Sequence, residues 1–200
     1  MKKYFLFIFS FFLLTSCRSI NIHEIRQVNE TTGNKLPTLE AVYIDATSSI
    51  PQYWEVGSKV VQNGDTYATI FYEELEKNLT NPYEDINGYI ELRNETILST
   101  NTLWSVLSGL TFTVPNLLGM PFTSGTVYSN VYVRLLDKKG RLIKRYQASA
   151  EDTEYVAMWW GYMGTADEIF AFKVRTYRKA LTKVLEEIKS DYTFLLEKLK

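Results

Sequence analysis

The 200-residue chain has one Cys, Cys17, and one His, His23. A single thiol forms no intramolecular disulfide, and one Cys with one His cannot fill a Cys/His zinc site. No GxSxG elbow, P-loop or GxGxxG phosphate cradle occurs. There is no Lys/Arg-dense stripe, and the formal net charge is −1, so nucleic acid finds no basic footprint to bind. Internal repeats and low-complexity blocks are absent as well. The most informative gap is local: from Thr96 to Val133 there is no Asp, Glu, Lys or Arg.

The centre of that gap, Leu103 to Phe122, is about as long as the roughly 20 residues that cross a bilayer as a helix. Gly109, Pro115, Gly119 and Pro121 interrupt a continuous helix, and Ser105, Ser108, Thr111, Thr113 and Asn116 bring polar groups into it. The expectation is an apolar loop or bent hairpin that has to be covered by the protein's own core, a lipid surface or a partner. A second apolar, aromatic stretch, Tyr155–Met163, contains the pair Trp159-Trp160. The remaining composition, 46% hydrophobic and 22% charged, is enough for one globular core. Fourteen Tyr and four Trp suit a core, an interface or a membrane rim equally.

At the amino terminus, Met1-Lys2-Lys3 is a positive start, and Tyr4 to Leu14 is apolar apart from Ser10. That is a secretory signal peptide, to be left out of fold reasoning. Leu14-Thr15-Ser16-Cys17 resembles a bacterial lipobox. The resemblance implies cleavage after Ser16 and lipid attachment at Cys17, with diacylglycerol on the thiol and palmitate-type chains completing a stable membrane anchor. Removing Lys2 and Lys3 from the 22 Lys and Arg leaves 20, against 23 Asp and Glu, a mature balance of −3. Cys17 is followed by Arg18-Ser19, with no Asp directly after the Cys. By analogy with enteric lipoproteins, in a bacterium with two membranes, this directs the protein to the outer membrane facing the periplasm.

Residues 17–37 are polar and unpatterned and read as a lipidated Cys with a flexible tether that includes His23. With Cys17 acylated and His23 in the tether, no Ser-His-Asp or Cys-His constellation assembles. A single domain is expected over 38–200, with an apolar insertion at 99–125. Leu39–Asp45 has the β-branched and aromatic content of a strand, and a loop follows through Ser48, Ser49, Pro51 and Gly57. Asn63-Gly64-Asp65 is a stop and N-cap, after which Ala68, Phe71, Leu75 and Leu79 keep helical spacing to Asn81-Pro82. Ile86–Leu98 alternates as a second strand. Val127, Val131, Val133 and Leu135 line one face of a third, the turn Asp137-Lys138-Lys139-Gly140 follows, and Leu142–Ala150 returns. Thr165 to Glu168 is a capping box opening a final helix. Unbroken to its end, that helix would exceed roughly 45 Å, so a break is expected near Ser190-Asp191.

This order, β-α-β-β-β-α, predicts an α+β two-layer sandwich with an about four-stranded, mainly antiparallel sheet and two helices on one face. Together with the lipobox it is similar to small periplasmic α/β lipoproteins of the curli-secretion and penicillin-binding-protein-activator type. No cofactor or metal is implied, and no catalytic residue is assigned. Gly161-Tyr-Met-Gly164 ahead of a helix is a weak anion site, because Asp167 and Glu168 already complement that helix end. Glu151, Asp152 and Glu154 read as a solvated loop rather than an acid–base pair. What remains is a non-enzymatic, membrane-anchored accessory or scaffold. Its expected binding residues toward an envelope protein or lipid are Trp104, Leu117, Leu118, Met120, Trp159 and Trp160. A carrier of a lipid or apolar ligand is the alternative, and a hydrolase built on the acidic run ranks below both.

Overall fold

The computed structural model describes residues 25–30, 33–45, 52–54, 66–81, 85–158, 160–161 and 164–199. The leader, Cys17, His23, the Asn63-Gly64-Asp65 signal and Trp159 lie outside the described residues. In chain order the elements are β1 (Leu39–Asp45), β2 (Gln52–Trp54), α1 (Thr66–Glu74) and a π-helical turn (Leu75–Leu79). They continue with β3 (Gly88–Asn101), α2 (Leu103–Leu110), α3 (Val114–Leu117), β4 (Thr123–Asp137), β5 (Leu142–Val156), α4 (Ala166–Ser190) and α5 (Tyr192–Leu199).

The strand order is β2-β1-β3-β4-β5. Four long strands make the expected α+β sheet, mostly antiparallel with one parallel pair. That pair is β1 with β3, running from Leu39 opposite Gly88 to Asp45 opposite Asn94. Parallel neighbours need a crossover connection, and α1 lies in it. The short β2 pairs antiparallel with β1 in a stretch expected to be loop. By compactness the described chain divides into two units, with boundaries inside β3, β4, β5 and α4. One unit holds Ile97–Tyr128 and Glu151–Lys173. The other holds Ser129–Ala150, Val174–Lys200 and the described part of Ile22–Thr96.

The larger unit is built on strand alternation. Leu39, Ala41 and Tyr43 of β1, Ile90 and Leu92 of β3, and Val131, Val133 and Leu135 of β4 are buried at every second position. Ala68, Phe71, Leu75 and Leu79 are buried on the spacing read from the sequence. Val174, Tyr177, Leu181, Val184 and Ile188 of α4 are buried in the same way. Each such side chain contributes roughly 1.5–3 kcal/mol when fully covered. The Tyr67 and Tyr177 rings meet edge-on at 5.0 Å, and the Tyr177 hydroxyl donates to the Tyr67 carbonyl at 3.1 Å. Arg178 pairs with Glu74 at 3.3 Å, so α1 and α4 lie side by side.

The expected tether is packed over its described part. Arg178 donates to the carbonyls of Ile25 and Gln27. Lys77 donates to Val28 at 3.2 Å, and Asn78 to Asn29 at 3.0 Å. Val28 and Leu36 are buried, and the Leu36 amide bonds the Leu79 carbonyl at the end of the π-helical turn. Polar composition concealed this because the bonds use backbone carbonyls, which every residue carries.

The helical break falls where the length argument placed it. α4 ends at Ser190 and α5 starts at Tyr192. Between them the Asp191 carboxylate accepts from Lys144 and, at 2.9 Å, from the Tyr146 hydroxyl. The Lys144 bond first, and the Tyr146 bond second, hold this carboxyl below its ordinary value. A depressed folded-state pKa gives stability that is present above the unfolded value of about 3.9 and lost as pH falls through the folded value. Asp191→Asn is therefore expected to lower the urea midpoint at pH 7. Its deficit relative to wild type should shrink steadily as denaturation is repeated below about pH 4; a deficit independent of pH would rule out the ionised carboxylate as its source.

Candidate docking surface

The centre of the charge-free segment, Leu103–Phe122, lies in the smaller unit, and it holds two short helices rather than the expected loop or hairpin. Pro115 falls in the first turn of α3, where a missing N–H costs nothing, and Gly119 and Pro121 lie beyond the helix ends. In α2, Leu103, Val106, Leu107 and Leu110 keep i, i+3, i+4, i+7 spacing and are 37–73% exposed. Such a face normally points into a core. Here the side turned inward carries Trp104, which is half-buried, and Ser108, which is 4% exposed. The helix is amphipathic with its apolar face outward.

Polar bonds within the segment, both exposed and buried, hold this arrangement. Asn101 Oδ1 accepts the Leu103 amide at 2.9 Å, and Ser105 donates to the Phe122 carbonyl at 3.0 Å. Ser108 donates to the Trp104 carbonyl and Thr111 to that of Leu107, both at 2.7 Å. Asn116 has no exposed surface, and its amide donates to the carbonyls of Met120 at 3.0 Å and Pro121 at 3.2 Å. Between the helices, Phe112 and Thr113 take positive φ of 50° and 62°. That backbone costs a non-glycine residue roughly 1–3 kcal/mol. It leaves Phe112 88% exposed, and α3 then leaves Val114 and Leu117 more than half exposed and Leu118 85% exposed.

The second apolar stretch attaches behind this tip. The Phe122 amide bonds the Val156 carbonyl at 2.7 Å, and Trp160 Nε1 donates to Gly119 at 2.8 Å. Val156 and Gly161 close a turn by a β-bridge, and the Tyr155 and Trp160 rings lie 5.8 Å apart. Gly161 has φ +83°, and a Cβ there would stand 2.2 Å from the Tyr155 carbonyl, so only glycine fits.

Of the six expected binding residues, Leu117, Leu118 and Trp160 are exposed, Trp104 and Met120 are half-buried, and Trp159 is outside the described residues. The sequence reading missed Leu103, Val106, Leu110 and Phe112. Their helical spacing was legible. Which face was outward was not, because neither face carries a charge.

The Thr165–Glu168 capping box forms, with the Glu168 carboxylate accepting from the Thr165 amide at 3.2 Å and the Thr165 hydroxyl accepting from the Glu168 amide at 3.3 Å. The acidic run is not a loop but part of β5. Strand alternation puts Asp152 and Glu154, both half-buried, on one face and exposed Glu151 on the other. Among the described residues no group of three or more His, Cys, Asp or Glu is placed to hold a metal ion. An apolar cleft of about 150 Å³ opens beside Leu98, Val156, Ile169 and Phe172, with Glu154 and Glu168 at its wall. No helix among the described residues is long and apolar enough to cross a membrane.

No protein-family model and no curated protein matches this chain. A crystal structure of a minor lipoprotein from Acinetobacter baumannii is similar at 13% identity, covering 80% of this chain and 90% of that one, with a TM-score of 0.32. A TM-score this low does not establish a shared fold.

Asn116→Leu leaves two inward carbonyls without their donor, which costs roughly 1–3 kcal/mol. Hydrogen exchange in peptides from 112–122 should accelerate, while the buried stretch of α4 around Val184 keeps its wild-type rate. Equal rates in both peptides of both proteins would show that the side chain does not hold the tip.

Proposed function

We propose that this chain is a non-enzymatic, lipid-anchored envelope protein, an accessory or scaffold that docks another envelope component on the apolar tip formed by residues 103–122 with the adjoining edge of 155–163. One observation carries the proposal: eight large apolar side chains between Leu103 and Leu118 are exposed, with no charge among them. Contiguous apolar surface of that kind marks interaction sites. The lipobox resemblance at Cys17 supports anchorage at the outer membrane, with the domain in the periplasm.

The energetics favour docking from a tethered state. At ~2 kcal/mol per fully covered side chain, with about two-thirds of each still open, covering the tip gains about 10 kcal/mol gross. Free association would cost an estimated 4–15 kcal/mol, leaving little or nothing. An acyl anchor removes much of that cost, because the protein is already confined near its target. The carrier alternative fits less well. The apolar cleft of about 150 Å³ is of the size that takes benzene, below the 300–1,000 Å³ of pockets for larger ligands, and an open cleft of about 580 Å³ beside Asn34, Lys35 and Asn81 is mostly polar. The division of the acidic run between two faces of β5 weighs against a hydrolase built on Glu151 with Asp152 or Glu154.

Whole cells test the docking role whatever covers the tip. With Cys17 acylated, Phe112→Cys or Leu118→Cys supplies the one free thiol, and Lys139→Cys in the β4–β5 turn is an exposed reference. A membrane-impermeant thiol reagent that enters the periplasm should label position 139 readily and positions 112 and 118 roughly tenfold more slowly or less. Unsubstituted protein should not label at all. Equal labelling at all three positions would show an uncovered tip and end the docking role.

A further inference from the structure

We infer that the component covering the tip is the acyl border of a lipid bilayer, so that the protein meets membrane at Leu103–Leu118 as well as at Cys17. This inference rests on the docking role above. The tip's polar groups carry it. Hydrocarbon offers no hydrogen bonds, so a segment that enters it must satisfy its own groups. The tip's donors do so: the Ser105, Ser108 and Thr111 hydroxyls and the Asn116 amide all bond carbonyls within residues 104–122, while Asn116 Oδ1 is buried without a partner. Its turns are closed internally too, with Thr113 N on Ser108 O at 2.8 Å and Met120 N on Pro115 O at 3.0 Å.

A protein partner would be expected to find more. Protein interfaces carry about one hydrogen bond per 100–200 Å², and here the exposed Ser105 and Thr111 hydroxyls are already engaged with carbonyls of the segment itself. The outward residues are Leu, Val and Phe, whereas energetic anchors of protein interfaces are enriched in Trp, Tyr and Arg, with Leu and Val under-represented. Aromatic residues with a polar handle flank the exposed face: Trp104 on the inward side of α2, and Trp160 and Tyr155 adjoining Gly119, the residue types enriched at headgroup level. Two features define the mode of contact. Helix α2, at eight residues, is only about 12 Å long, far short of a ~30 Å hydrocarbon core, so insertion is shallow and into one leaflet. With no Lys or Arg between Thr96 and Val133, the contact needs no anionic lipid, unlike that of basic amphipathic helices.

The test uses the mature acylated protein reconstituted in vesicles of phosphatidylcholine, alone or doped with phosphatidylglycerol. An environment-sensitive fluorophore is placed on Phe112→Cys, Leu118→Cys or Lys139→Cys, in proteins whose circular dichroism matches wild type. A nitroxide near the top of the acyl chain should quench the probes at 112 and 118 roughly twofold or more, and one at the bilayer centre should quench them less. The probe at 139 should be unaffected, and neither lipid charge nor salt should change the result. Absence of quenching at both 112 and 118 overturns the lipid assignment, as does equal quenching at 139. If those thiols are nevertheless protected in cells, docking stands with a protein as the occupant. If they are also reactive there, the docking role fails with it.

Discussion

Asn116 is an uncharged polar side chain with no exposed surface, and the tip is built around it. Its amide binds two successive carbonyls, Met120 and Pro121, at the point where the chain leaves α3 and turns back toward β4. Those bonds occupy the inward side of the turn. With Ser108 filling the corresponding inward position on α2, the leucines, valines and Phe112 are left on the outside. The usual sorting of apolar residues inward and polar residues outward is reversed in this segment. The inward donors, the Ser108 hydroxyl and the Asn116 amide, each have a carbonyl to bind, and a buried carbonyl without a donor would cost roughly 1–3 kcal/mol.

Elsewhere the ordinary sorting holds, and there the sequence was readable. Val131, Val133 and Leu135 alternate in β4, and Ala68, Phe71, Leu75 and Leu79 recur at helical spacing, because each has polar neighbours that mark the opposite face. The break at Asp191 was legible from helix length alone. The bonds that fix it, from Lys144 and Tyr146, join residues more than forty positions apart and leave no local mark. β2, the helices inside the charge-free segment and the packing of residues 25–30 and 33–37 were not legible. The first is three residues long, the second has Gly and Pro at helix ends that resemble breaks, and the third depends on main-chain carbonyls.

The candidate site was legible as a segment and not as a surface. A run without charge announces that something must cover it, but orientation requires contrast between two faces. Of the expected binding residues, Leu117, Leu118 and Trp160 are exposed, while Trp104 and Met120 are partly covered, since size and aromaticity say nothing about direction. In the proposed function the lipobox-like Cys17 and the tip complement each other energetically. Shallow apolar contact alone barely offsets the cost of association, and an acyl anchor alone would fix the protein without orienting it. The proposal therefore needs both contacts, each weak in specificity, to set how the protein lies.

Side-chain footprinting of the native protein in isolated envelopes tests the proposed covering of the tip most directly. Leu142, 43% exposed, is the internal reference, because Phe112 and Leu118 are twice as exposed in the chain by itself. A covered tip predicts that Phe112 and Leu118 are modified less than Leu142. Modification in the order of their intrinsic exposure, with both above Leu142, would contradict it.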